Sequence, residues 1–293
     1  MINKSTFLLA ALCSAYSFAQ TSVVDLPNVS AVAVTNKVEP PQRPAAVTVQ
    51  RGPYLQSGTP TSVVVKWRTD VPTESVVHYG KKLSSLSKKA SSNTLTTEHQ
   101  VALSGLSPNT KYYFNIGNKA GVLSESTSGD MYVITSPLAG TKQFVRAWIL
   151  GDAGTANNNQ RDVRDAYYDY VDAAPKNTGK TDMMLFLGDN AYGSGTDEEY
   201  QNALFDIYDE MLKKSVAWSC LGNHDGKSAD SATQSGPYYD IFTFPTAAQA
   251  GGTASGTEAY YSFDYANVHF IILDSHHTSR EVGGAMYNWT LTD

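Results

Sequence analysis

From Val47 to about Pro137 apolar and polar positions alternate in short runs, VTVQRG, TSVVVKWRT, ESVVHYG, EHQVALSGL, KYYFNIGN and MYVITS, separated by Gly, Pro, Asn and Ser. Alternation of period two is the pattern of strands with one face in a core. Turn signals at this spacing over roughly ninety residues predict a β-sandwich of the immunoglobulin or fibronectin type. Trp67 on a predicted strand, and Tyr112 or Tyr113 after the LSPNT turn, read as core aromatics.

After Pro137 the pattern changes. QFVRAWIL is an apolar run ending at Gly151, NNNQRDVRDAYYDYVDAA has helical spacing, and MMLFL is a second apolar run ending at Gly188. Residues 197–214 begin with acids and finish with lysines, the polarity that a helix dipole favours. VAWSCL then ends at Gly222. Strand, helix, strand, helix, strand is the order of an α/β layer with a largely parallel sheet, whose ligands gather beyond the carboxyl ends of the strands. Residues 226–257, rich in glycine, read as a long surface loop. AYYSFDYANVHFIILDS reads as two strands joined near Tyr265, Ala266 and Asn267, and MYNWTLTD as the start of a helix.

The amino terminus follows a different logic. Residues 5–19 (STFLLAALCSAYSFA) follow the basic Lys4, form an apolar run too short to span a bilayer, and carry small residues at Ser17 and Ala19. This predicts a signal peptide over 1–19 and a secreted, periplasmic or extracellular protein. Cleavage there removes Cys13 and leaves Cys220, so no disulfide framework is expected; Leu12 before Cys13 is a poor match to a lipidation signal. Residues 20–45 end in EPPQRP and read as a linker. The domains expected are therefore a sandwich over 46–137 and an α/β domain over 142–293. A chain of 293 residues is long enough for two such cores.

Charge narrows the partners. Twenty-two basic against 28 acidic side chains, with no basic run, argue against nucleic acid or an anionic membrane surface, both of which recruit clustered lysine and arginine. A small phosphate ester stays open as a partner if a metal supplies local positive charge.

The chemistry lies at the three strand ends: Gly151-Asp152-Ala153-Gly154, then Gly188-Asp189-Asn190-Ala191-Tyr192, then Gly222-Asn223-His224-Asp225. A single strand-end aspartate is more often a helix cap or turn residue. Three such ends in series are harder to produce by capping, and carboxylates crowded in one cleft repel unless cations lie between them. Two cations with bridging carboxylates are the economical reading. Asp189, on the middle run, is then the bridging candidate, and Asn223 supplies a neutral carbonyl oxygen. Tyr192 can reach back as a phenolate, which favours a trivalent ion such as iron, or it packs as an aromatic beside the site.

The set GDAG, GDNAY and GNHD, preceded by RGPYLQSGTPTSVVVKWRT and LSPNTKYYFNIG, resembles the purple acid phosphatases of the calcineurin-like metallophosphoesterase superfamily over about residues 47–293. The resemblance implies an all-β, fibronectin type III-like sandwich followed by an α/β metallophosphoesterase domain. It implies a dinuclear centre of Fe(III) plus a divalent iron, zinc or manganese, with Asp152 and Tyr192 on the ferric ion, Asp189 bridging and Asn223 on the divalent ion. It also implies that His224 contacts the substrate phosphate and protonates the leaving alkoxide, and that Asp225 orients the His224 imidazole.

One departure accompanies these matches. The family's further histidine ligands come from VxxH and GHxH motifs, and neither occurs in this chain. The expectation is an incomplete metallophosphoesterase domain with its C-terminal part missing, of reduced or no activity. Among the late histidines, His269 in VHFIIL reads as a packed core residue, while His276 and His277 after a strand end could contact metal or substrate. The leading expectation is an exported acid phosphatase acting on phosphate monoesters. Alternatives are a diesterase or nucleotidase of the same superfamily and a non-catalytic secreted binding or adhesion protein.

Overall fold

The computed structural model describes residues 46–174 and 180–293. The expected signal peptide and linker lie outside the described residues. Residues 46–293 form one compact unit, and among the described residues no helix is long and apolar enough to cross a membrane.

The N-terminal part is built of antiparallel strands β1 (Val49–Gln56), β2 (Val63–Gly80), β3 (Lys88–Leu103), β4 (Lys111–Asn118), β5 (Gly121–Ser124) and β6 (Tyr132–Ile134), with β4 beside β2 and not β3. TSVVVKWRT and ESVVHYG, expected as separate strands, are one 18-residue strand. Exposed Asp70, Val71 and Pro72 interrupt its alternation, and the pairing with β3 shifts register there. His99 on β3 spans the irregularity: its two ring nitrogens meet Thr69 Oγ1 and Ser75 Oγ, each at 2.8 Å. With both nitrogens partnered, the ring stacks on Trp67 at 4.6 Å and lies buried. The first half of β2 pairs with β1 and the second with β4, while β3 follows it on the other side. Trp67 and Tyr112 are core residues, each 1% exposed, and the Ser107 amide donates to the Tyr112 hydroxyl.

The α/β part adds three parallel strands, β7 (Ala147–Leu150), β8 (Met183–Phe186) and β9 (Val216–Ser219), adjacent in the order β9-β8-β7. Met183, Met184, Leu185 and Phe186 are all buried, as befits a central parallel strand covered on both faces. Helix α1 (Asn158–Ala173) starts where the Asn157 side chain accepts from Gln160 N. The helix after β8 is composite: α2 (Asp197–Tyr200), a π turn (Gln201–Phe205) and α3 (Asp206–Leu212), opened by a Thr196–Glu199 capping box. The two parts share a sheet, since Leu55 of β1 pairs in parallel with Val216 of β9. Gln56 Nε2 also donates to Ala217 O, and Tyr54 donates its hydroxyl proton to Ile241 O.

Two expectations need correction. Residues 226–257 are not a surface loop: they contain helix α4 (Pro237–Ile241), and Tyr238, Tyr239, Ile241, Phe242 and Phe244 are buried. Phe244 stacks on Tyr261 at 4.5 Å. The glycines obscured an aromatic cluster that seals one side of β9. His269 is no core residue either. The hairpin β10 (Tyr261–Tyr265) and β11 (Val268–Ile272) turns at Ala266 and Asn267 as expected, but His269 faces outward between Asp264 (2.7 Å) and Asp293 (2.8 Å). Both carboxylates raise its pKa, Asp264 first. Helix α5 (Ala285–Thr292) closes the described chain.

Candidate metal centre

The strands β7, β8 and β9 end side by side, so the three following loops meet. Their contact is backbone on backbone. Asp152 N donates to Gly188 O at 3.2 Å, Gly154 N to Asp189 O at 3.1 Å, and Tyr192 N to Gly154 O at 2.8 Å. Glycine is required where these loops touch: a methyl on Gly222 would overlap the amide and carboxylate of Asp189, and one on Gly154 would overlap the Asn190–Ala191 peptide. Asp152 and Asp189 both sit in left-handed backbone, at φ 53° and 51°. That conformation costs a non-glycine residue about 1–3 kcal/mol, tolerable in a site that the surrounding contacts fix and more readily adopted by aspartate than by most residues.

The packing gathers the oxygen-bearing side chains singled out in the sequence. Asp152, Asp189 and Asn223 line one pocket of about 260 Å³, together with Gly188, Gly222 and His276. Tyr192 lies beside it and donates its hydroxyl proton to Asp152 Oδ1 at 3.0 Å. Burial, then the Asp152 and Asp189 carboxylates, push the Tyr192 phenol well above its ordinary range, so without a cation it is a neutral donor. Its ring also packs edge-on against the His224 imidazole, 4.5 Å between centroids, so both expected roles for this side chain are compatible. Asp189 is buried and Asn223 exposed. His224 N donates to Asp189 Oδ1 at 2.9 Å.

These donors fit a hard cation. Two carboxylates, a phenol and an amide carbonyl are all oxygen ligands, and the bare Gly222 lets the third loop pack close against Asp189. Among the described residues no group of three or more His, Cys, Asp or Glu is close enough to hold a metal ion. Tyr192 and Asn223 are therefore needed to complete any set here.

The expected pairing of Asp225 with His224 does not occur. Asp225 is fully buried, and its oxygens accept from Tyr200 Oη at 2.5 Å, Gly222 N at 2.9 Å and Asn190 Nδ2 at 3.0 Å, with the Asn190 amide at 3.2 Å. With every lone pair directed inward, the carboxylate braces the second and third loops against α2. Burial raises its pKa despite these donors. His224 is oriented by other groups: its Nδ1 lies 2.7 Å from Gly193 O and 3.1 Å from Lys227 Nζ, and Lys227 also donates to Gly193 O at 2.8 Å. Gly193 O can only accept, so its contact calls for a proton on Nδ1, with Lys227 Nζ directed to the same carbonyl, and Nε2 is then the nitrogen free for chemistry.

Tyr200 and Lys227 were not assigned roles from the sequence. Tyr200 and Lys227 carry no motif, whereas the LDSHH strand end did mark His276 as a candidate.

Two family models match the chain: "Purple acid Phosphatase, N-terminal domain" over residues 51–131 and "Calcineurin-like phosphoesterase" over 145–290. Among curated relatives, "Probable inactive purple acid phosphatase 27" of Arabidopsis thaliana is 26% identical over 209 residues, 65% of this chain and 32% of the relative. "Purple acid phosphatase 21" of the same plant is 24% identical over 282 residues, 88% of this chain and 57% of the relative. The chain thus spans between a third and somewhat over half of these relatives' length. The structure of purple acid phosphatase PPD1 from yellow lupin (Lupinus luteus) seeds superposes with a TM-score of 0.51 at 17% identity, covering 80% of this chain and 47% of that one. That likeness is one of fold.

Proposed function

This chain belongs to the purple acid phosphatase-type calcineurin-like phosphoesterases, and on that premise we propose that it serves an exported, metal-dependent hydrolase of phosphate monoesters. The observation that carries the reading is the convergence of Asp152, Asp189 and Asn223 on one pocket with Tyr192 bonded to Asp152. Asp152 and Tyr192 would hold a ferric ion, Asp189 would lie between the two cations, and Asn223 would hold the divalent partner, iron, zinc or manganese. When bound, such a pair lowers the pKa of coordinated water and offsets the charge on phosphoryl oxygens.

The chain's own residues supply the rest. His224, held at Nδ1 by Gly193 O, presents Nε2 toward the leaving oxygen and, as the imidazolium with both nitrogens protonated, can give it a proton. Lys227 keeps a cation beside that imidazole, favouring a dianionic substrate over a neutral one. Asp225 and Tyr200 hold the loops still while this happens.

A second reading is favoured by one observation: no three His, Cys, Asp or Glu side chains among the described residues are close enough to hold an ion. A relative whose name includes "probable inactive" is consistent with a non-catalytic secreted binding protein. Elemental analysis of the purified chain, followed by turnover of p-nitrophenyl phosphate, its bis-ester and ATP, separates these. Stoichiometric iron with a second ion and preference for the monoester support the phosphatase. Preference for the bis-ester or ATP points to a diesterase or nucleotidase, and absence of both metal and turnover supports the binding protein.

A further inference from the structure

His276 stands in the wall of the pocket that holds Asp152, Asp189 and Asn223. The chain puts it there by a tight turn after β11. Asp274, with no solvent exposure, accepts from His276 N at 2.9 Å, His277 N at 3.0 Å, Thr278 N at 3.0 Å and Thr278 Oγ1 at 2.7 Å. The turn lays the His276 ring on Gly226, where a methyl group would collide with its Cδ2 and come within 2.8 Å of Nε2. Gly226 N in turn donates to Gly222 O at 3.0 Å, so the ring is packed on the loop that carries Asn223 and His224. His277 lies tilted against it, 4.3 Å between centroids.

A buried carboxylate fixes the turn, and a bare glycine and a neighbouring ring flank an exposed imidazole that none of the three strand-end motifs contains. Its range decides what it can meet. His276 shares the pocket with Asp152 and Asp189, yet the three side chains are not close enough to hold one ion. An imidazole in the wall of the pocket but outside any such group is placed to meet what the pocket holds, and in a pocket for a phosphate ester that is a phosphoryl oxygen. Imidazole N–H to anionic oxygen is a charge-assisted hydrogen bond when the ring is protonated and an ordinary one when it is not.

We propose that His276 donates to a phosphoryl oxygen of the substrate, or of the inorganic phosphate left after hydrolysis, and so binds the group that His224 helps to cleave. This rests on the phosphoesterase reading of the site. The test uses the zinc-loaded chain, a diamagnetic form, titrated with inorganic phosphate by calorimetry and by NMR of nitrogen-labelled histidines. The His276 ring resonance, identified by its loss in His276→Gln, is expected to shift with the calorimetric saturation curve. His276→Ala should weaken phosphate binding about ten- to hundredfold, and His276→Gln, which keeps a donor, should recover part of it. If wild type binds phosphate and His276→Ala binds it equally, the inference is overturned while the site reading stands. If zinc-loaded wild type binds no phosphate, both fall.

Discussion

The Tyr192 hydroxyl donates a 3.0 Å hydrogen bond to Asp152 Oδ1 across 40 residues of chain, joining the loop after β8 to the loop after β7. Burial and the neighbouring carboxylates hold that phenol neutral, and a cation at the same point would reverse the preference by displacing the proton. Tyr192→Phe keeps the ring against His224 and removes only the oxygen. The iron-loaded variant is expected to lose the visible absorbance of a tyrosinate-to-iron transition and at least tenfold in iron affinity, given that even indirect ligand partners are worth that much. An unchanged spectrum would assign the colour to another group.

Asp152 and Asp189 line one pocket with no cation side chain between them. Metal binding should therefore stabilise the fold. At free metal of about one hundred times Kd the gain is about 2.7 kcal/mol, a rise in melting temperature of roughly 5–10 °C for a chain of this size. Asp189→Asn should abolish most of the rise and, in chelator, leave the chain as stable as wild type or slightly more so, because a repelling charge has gone. Melting curves with and without EDTA read both effects.

Tyr200 and Asp225 form a separate, structural pair. Tyr200→Phe removes one donor to a fully buried carboxylate and should cost about 1–3 kcal/mol in urea unfolding. Asp225→Ala strands the Tyr200 hydroxyl and the Gly222 and Asn190 donors together, so a loss above about 3 kcal/mol is expected. The double variant should cost less than the two losses combined, since they share one bond. Additive losses would show that the two groups act independently.

These residues also mark how far the sequence could be read. Asp152, Asp189 and Asn223 were legible because each follows an apolar run and a glycine, and the parallel strands bring such ends together whatever the side chains between them. Asp225 was legible as part of the site but not as its brace. Its partner Tyr200 sits 25 residues earlier on a helix whose π turn the pattern does not announce. Residues 226–257 misled for a related reason: glycine and serine set the local impression of a loop, whereas Tyr238, Phe242 and Phe244 are buried by contacts with a hairpin still to come in the chain. In β3 the polar stretch from Lys88 shows no apolar alternation, being exposed along much of its length, and is strand only because β2 is there to pair with it.

Asp197 offers a test of how the sheet-rich and α/β parts are held together. Its carboxylate receives Arg51 Nη1 at 3.0 Å from β1 and Arg68 Nη2 at 2.7 Å from β2, and the Arg51 side chain has no exposure at all. Hydrogen bonding from Arg68 first, and Arg51 with it, lowers the Asp197 pKa to about 2. A carboxyl whose folded pKa lies below the unfolded value, about 3.9, stabilises the fold fully above that value and loses its contribution as pH falls toward 2. Because Asp197 is 43% exposed, solvent screening reduces the effect, and about 1–2 kcal/mol at neutral pH is the expected difference between wild type and Asp197→Asn. Buried Asp225 acts in the opposite sense, its raised pKa favouring the fold at low pH, but it is present in both proteins and cancels in the comparison. Urea unfolding at pH 7, 4 and 2.5 should show the difference shrinking over the last two points. A difference that stays flat to pH 2.5 would mean that the two arginines do not hold the charge of Asp197, and that the junction rests on the apolar contacts of Tyr54 and Phe205 instead.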